Sequence, residues 1–255
     1  MTTTTDTGDQ ITEMLSGFRL PTLATELVTR ITQAGHEELL PLLLEIFELE
    51  RQDRYERRIE RLRRASKLPP GKLLDTFDDK RLPRSLATKI RQLIKGAFLN
   101  EAVNVLAFGL PGTGKTHVAC AIGHALVEAG HSVLFTPTFK IVQELLAAKR
   151  ELELPRALRK LDSFELLILD DLGYVQQSEE EIEVLFTLMA ERYERRSMLI
   201  TSNLVFSEWD KIFKNPMTTA AAIDRLVHHS VILEFDVTSF RTKKNSGSKT
   251  KAKSK

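Results

Sequence analysis

Eight consecutive residues, Gly109-Leu110-Pro111-Gly112-Thr113-Gly114-Lys115-Thr116, follow the pattern G-x-x-x-x-G-K-T. Glycines at those spacings let the backbone curl until successive N–H groups face one point, a geometry suited to the oxygens of a phosphate chain. Lys115 adds a point charge near the β and γ phosphates, and the Thr116 hydroxyl is an oxygen ligand for Mg²⁺. Farther along, the apolar run Leu166-Leu167-Ile168-Leu169 ends in Asp170-Asp171. A hard cation beside phosphates takes oxygen ligands and gives up water reluctantly, so Asp170 is the expected Mg²⁺ residue, acting through water. Asp171 would then face the attacking water. Without a phosphate loop, two acids at a strand end would simply face solvent. With it, the chemistry expected is binding of a nucleotide's phosphates with Mg²⁺, the phosphates being held by Gly109, Pro111, Gly112, Thr113, Gly114, Lys115, Thr116 and His117.

Such residues need a scaffold. The loop follows the apolar run Val103–Phe108 and precedes a helical pattern that begins near His117. Further strand-like runs are Ser132–Phe135, Leu166–Asp171, Ser197–Thr201 and Val231–Phe235, each separated from the next by a helical stretch. Five strands alternating with helices predict an α/β fold, a five-stranded parallel sheet covered on both faces, with ligands at the carboxyl ends of the strands. Asn203 lies at such an end, where its amide could hold the water or the γ-phosphate; it could equally serve as a turn or cap residue before Ser207-Glu208-Trp209.

The chain has 255 residues, enough for one large domain and a small one. The expected division is a helical amino-terminal domain over 1–70, a connector over 71–100, the nucleotide-binding core over 101–240 and a disordered basic tail over 241–255. No internal repeat is visible, and no helical lid is expected after the fifth strand. The apolar runs are shorter than the roughly 20 residues that span a bilayer, and the Thr-rich amino terminus lacks the basic and apolar regions of a signal peptide, so the reading is a cytoplasmic protein with no membrane partner. The single Cys120 rules out an intramolecular disulfide, and its apolar neighbours Val118, Ala119 and Ile122 point to packing rather than reactivity. The histidines show no metal-ligand spacing with cysteine.

Net charge is only +2, but it is unevenly spread. Residues 51–67 carry a local +5 and residues 241–255 a local +7, leaving −10 on the other 223. Concentrated basicity suggests phosphate-backbone binding. In the first segment Tyr55, Ile59 and Leu62 form one helical stripe, with Arg54, Arg57, Arg58, Arg61 and Arg64 around the rest as candidate DNA contacts. Asp53, Glu56 and Glu60 could instead pair with arginines three or four residues on, making a solvated helix. The tail could add nonspecific affinity for DNA or simply solubilise the chain.

Taken together, several runs resemble the IstB family of insertion-sequence helper ATPases, within the AAA+ class and near the DnaC-type helicase loaders. They are Gly114-Lys115-Thr116-His117, Leu169-Asp170-Asp171-Leu172-Gly173-Tyr174, Arg192-Tyr193-Glu194-Arg195-Arg196-Ser197, Thr201-Ser202-Asn203-Leu204 with Ser207-Glu208-Trp209, and Asp224-Arg225-Leu226-Val227-His228-His229. Glu56–Arg61 and Pro69–Phe77 look like that family rather than the loaders. The resemblance implies that Asn203 senses the γ-phosphate and that Arg225 is an arginine finger reaching the ATP of a neighbouring subunit in a homo-oligomer. Read without it, Arg225 would pair with Asp224 or Glu234. Asp171 stands where the class usually has Glu; the shorter side chain suits a slow, switch-like ATPase. Asp79 replaces an aromatic expected after Phe77-Asp78, and Gln176 a proline expected after Gly173-Tyr174-Val175. The implied function is ATP-dependent assembly on double-stranded DNA that assists the transposase of the same element in target selection. The alternative is a helicase loader acting on single-stranded DNA, against which stands the lack of aromatic stacking platforms around Tyr55. A metabolic phosphoryl-transfer enzyme fits less well, since no substrate-binding insertion or lid is evident.

Overall fold

The computed structural model describes residues 4–77, 82–173, 178–213, 216–227 and 230–236. The chain forms two compact units that divide between Arg61 and Leu62. Asp79, Gln176, His228, His229 and the basic tail fall outside the described residues.

The first unit is helical. Helices α1 (Thr4–Gly17) and α2 (Pro21–Gln33) meet through a turn in which Arg19 takes a left-handed φ of 60°. Pro21 suits the first turn of α2, where its missing N–H costs no hydrogen bond. After a 3₁₀ turn at Glu37–Leu39, α3 runs from Leu40 to Ser66. Ile11, Leu15, Ala24 and Leu40 are buried at the centre, and the Phe18 and Phe47 rings meet edge to face at 6.4 Å. Helix α3 passes through the division between the units and stops where the Ser66 hydroxyl donates to the Arg63 carbonyl and Lys67 turns left-handed. Leu68-Pro69-Pro70 follows, and proline cannot continue a helix.

In the second unit the segment read as a connector folds into α4 (Arg84–Leu93) and the short α5 (Ala97–Asn100), whose Leu86, Ile90, Leu93 and Phe98 enter the core. There follow β1 (Asn104–Gly109), α6 (Lys115–Glu128), β2 (Val133–Pro137), α7 (Thr138–Arg150), α8 (Leu154–Asp162), β3 (Leu166–Leu172), α9 (Glu179–Arg192), β4 (Ser197–Ser202), α10 (Asp210–Phe213), α11 (Pro216–Val227) and β5 (Ser230–Phe235). All strand pairs are parallel, in the order β2-β3-β4-β1-β5. Alternation along each strand sorts the apolar side chains into two layers. Val105, Ala107, Phe135, Ile168 and Leu199 face α4 to α6, while Leu106, Phe108, Leu134, Leu167 and Ile200 face α7, α9 and α11. This is the predicted five-stranded sheet, its strand limits shifted by a residue or two. Among the described residues, no helix is long and apolar enough to cross a membrane.

Arg192 ties the amino-terminal edge of the sheet together. It is 1% exposed, and its guanidinium donates to the carbonyls of Leu161, Phe164 and Ser197 at 2.9, 3.0 and 2.9 Å. Burial lowers its pKa to about 10, against the attraction of Asp162. The run Arg192–Ser197 therefore owes its leading arginine to architecture.

Candidate nucleotide-binding site

Strand β1 delivers the chain into the glycine loop, and α6 starts at Lys115, directly behind it. Gly109 has φ +153°, and a Cβ placed there would sit 2.6 Å from the Phe235 carbonyl oxygen on β5. Gly114 caps α6 in the left-handed region, φ +101°, at the end of the helix whose first N–H groups have no partner within it. Inside the curl the buried Thr113 hydroxyl donates to the Leu110 carbonyl at 2.8 Å. Pro111 lies on the exposed outer side. The Lys115 side chain is buried, and its ammonium donates to Gly109 O (2.7 Å), Leu110 O (3.0 Å) and Asn203 Oδ1 (2.7 Å). Those acceptors match the three protons of an ammonium. One face of His117 meets the Phe77 ring at 5.0 Å, and its Nε2 lies 2.9 Å from Leu73 O and 3.2 Å from Thr76 Oγ1.

The carboxylates stand at the carboxyl end of β3. Asp170 is 7% exposed, and its Oδ1 accepts from Thr116 Oγ1 at 2.9 Å and from Thr201 Oγ1 at 2.6 Å. Its backbone carbonyl accepts from Thr138 Oγ1 at 2.9 Å. Asp171 is exposed and left-handed, φ +58°, where the β3–β4 register shifts between Leu169 and Leu172. The structure thus brings the loop, Asp170, Asp171 and Asn203 to one end of the sheet. Asn203 is linked to the loop lysine directly, and Thr116 to Asp170. Sequence reasoning missed Thr138 and Thr201; the latter sits in the run Thr201-Ser202-Asn203, but nothing local shows where its hydroxyl goes.

A family model described as IstB-like ATP binding protein matches residues 14–248. This chain belongs to the IstB-like family. It is 46% identical over 231 residues to a protein of Sinorhizobium fredii named as an insertion sequence ATP-binding protein, covering 89% of this chain and 78% of the relative. With the ATP-binding protein of insertion sequence IS21 from Pseudomonas aeruginosa it shares 35% identity over 232 residues, 90% of this chain and 88% of the relative. Among solved structures, the DnaC helicase loader matches with a TM-score of 0.53 at 24% identity, over 66% of this chain and 98% of that one. The replication initiator DnaA bound to AMPPCP and single-stranded DNA matches with a TM-score of 0.56 at 16% identity, over 68% of this chain and 52% of DnaA, about half its length. These structural likenesses show a shared fold, and family membership makes this an ATP-binding protein.

In the IstB-like chain the other predicted residues lie elsewhere. Arg225, on α11, holds its guanidinium 4.5 Å above the Phe186 ring, with Nη1 3.5 Å from Ala221 O, so an aromatic face and a carbonyl take the place of the Asp224 or Glu234 carboxylate. Arg54, Arg57, Arg58, Arg61 and Arg64 are all exposed along α3. Arg54 lies over Phe18 and bonds Glu50 at 2.6 Å, and Arg57 pairs with Asp53, so part of the local positive charge is matched one turn away. Burial pushes the Cys120 thiol up to about 12, as packing rather than reactivity requires.

Proposed function

We propose that this IstB-like protein hydrolyses ATP slowly and uses the ATP-bound state to assemble on duplex DNA, where it assists the transposase of its insertion sequence. The convergence of Lys115, Asn203, Thr116 and Asp170 through direct hydrogen bonds at one end of the sheet carries this reading.

The loop N–H groups and the start of α6 would hold the phosphates, a helix amino terminus being a natural anion site. Lys115 would exchange its loop carbonyls for phosphate oxygens, which leaves Asn203 next to the γ-phosphate position. The site fits Mg²⁺: Thr116 Oγ1 and Asp170 Oδ1 are hard oxygen donors already 2.9 Å apart. Among the described residues no group of three or more His, Cys, Asp and Glu could hold a metal ion, so the remaining ligands would be water and phosphate. Bound there, Mg²⁺ would neutralise charge on the transferred phosphoryl group. Asp171, exposed on its left-handed turn, would orient the attacking water. Arg225 would leave the Phe186 ring to reach the ATP of an adjoining subunit, so that nucleotide closes the oligomer. The arginines of α3 would contact DNA phosphates, which gives affinity without sequence preference.

The test is filter retention of labelled duplex and single-stranded DNA with ATP, ADP or a slowly hydrolysed analogue, with particle size followed by light scattering. Duplex DNA should be retained only with the triphosphates and lost in Lys115→Ala; Arg225→Ala should bind nucleotide yet not assemble. Equal retention by Lys115→Ala and the parent would sink the proposal, and a preference for single strands would favour the loader reading.

A further inference from the structure

The bulge in β3 gives Thr201, whose run drew attention only to Asn203, two tasks at once. Leu169 pairs with Ile200 and Leu172 with Ser202, so Asp170 and Asp171 together stand opposite the single residue Thr201. Two residues against one is a β-bulge, which bends the strand and re-aims side chains. Thr201 is fully buried on central β4, where its own backbone pairs with Ala107 of β1. Its hydroxyl donates to Asp170 Oδ1 at 2.6 Å and accepts from the Asp171 N–H at 2.9 Å. The N–H that the bulge removes from the regular ladder is thereby satisfied by a side chain, and Asp171 is held at φ +58°, in the left-handed region that Asp enters more readily than most residues with a Cβ.

We propose that Thr201 is a positioning residue that sets both carboxylates: it fixes the Asp170 carboxyl for the cation and holds the Asp171 turn that carries the water-orienting side chain. This rests on the proposed hydrolytic site. The hydroxyls of Thr116 and Thr201 fall on the same oxygen of Asp170, so removing one leaves a single hydroxyl to fix that oxygen. Groups that orient a metal's ligands contribute about 10- to 100-fold in metal affinity or activity.

The experiment compares full-length Thr201→Val, which keeps shape and loses the hydroxyl, with Thr201→Ser, which keeps the hydroxyl, and with the smaller Thr201→Ala. Binding of a fluorescent, slowly hydrolysed ATP analogue is titrated with Mg²⁺, and kcat and KM for ATP are measured at saturating Mg²⁺. In the Val and Ala variants the Mg²⁺ needed for half-maximal tightening should rise about tenfold and kcat fall by about 10-fold or more. Mg²⁺-free analogue affinity and KM should stay within about twofold, and Thr201→Ser should keep parental values. Parental Mg²⁺ dependence in both Val and Ala, or a Ser variant as impaired as they are, overturns the proposal. A parent that hydrolyses no faster than Lys115→Ala defeats the hydrolytic reading instead, and the Mg²⁺ titration then decides the role of Thr201 alone.

Discussion

Gly109→Ala should damage nucleotide binding through geometry alone. The new Cβ would lie 2.6 Å from the Phe235 carbonyl oxygen, 2.8 Å from Phe235 Cβ and 3.1 Å from Thr113 Oγ1. Both residues are held in place: Gly109 pairs with Phe235 in the β1–β5 ladder, and Thr113 is locked inside the loop by its bond to Leu110 O. Relief must come from moving the loop or prising β5 from β1, and an overpacked site costs about 1–3 kcal/mol. The φ of +153° adds strain of about 1–3 kcal/mol for a residue with a Cβ. The sum, about 2–6 kcal/mol, corresponds to a melting shift of roughly 4–24 °C at about 2–4 °C per kcal/mol for a unit of this size. Because Gly109 O is an acceptor for Lys115, any shift of the loop also displaces the ammonium, and analogue affinity should fall at least about tenfold, or about 1.4 kcal/mol. Gly71→Ala is the matched control: its φ is +79°, but nothing lies within 4 Å of the added Cβ, so it carries strain without collision. The assays are thermal melting and analogue titration on both variants. A Gly109→Ala protein that melts within a degree or two of Gly71→Ala and binds nucleotide like the parent would refute the reasoning, because the approach of β5 would then not be rigid.

Replacing Arg54, Arg58 and Arg61 with Gln should weaken duplex binding and flatten its salt dependence by up to about 0.9 in slope for each DNA phosphate no longer neutralised, with ATPase near parental. Arg54 is already bonded to Glu50, and an unchanged slope in filter binding would leave α3 a solvated helix with internal pairs. Burial raises the Glu165 pKa, but hydrogen bonds from His131 and Ser132 outweigh it and hold the carboxyl below the ordinary 4.5. A depressed carboxyl pKa stabilises the fold above the unfolded value and loses that contribution as pH falls through the folded one. Glu165→Gln should therefore melt below the parent at pH 7, with the gap narrowing once pH drops below 4.5; a gap independent of pH in thermal melts would show that packing, not charge, is what the substitution removes.

Which parts of the site could be read in the sequence follows from the range of the interactions involved. The phosphate loop is local: Gly109, Gly114 and Lys115 act within a few residues, so their spacing carries the geometry. The strand of Asp170 was legible for a similar reason, since a short apolar run ending in acids can be recognised without its neighbours. Thr201 could not be read that way. Its partners lie about thirty residues upstream and meet it only because β3 and β4 are parallel and offset by one bulged residue. Arg192 is local in sequence only as one member of a family run; its task, bonding the carbonyls of Phe164 and Ser197 beside the starts of β3 and β4, appears only in the fold. Residues 71–100 read as a connector because their helical patterns are short, and only the sheet shows that Leu86, Ile90, Leu93 and Phe98 complete one core layer. Arg225 lies at the edge of what a single chain can express. Its resting place over Phe186 is an intramolecular contact, whereas a finger acts on a neighbour, so its assignment came from motif likeness rather than geometry. Spacing therefore located the glycine loop and Lys115, while the bonds from Thr201 to Asp170 and Asp171 arise from tertiary register.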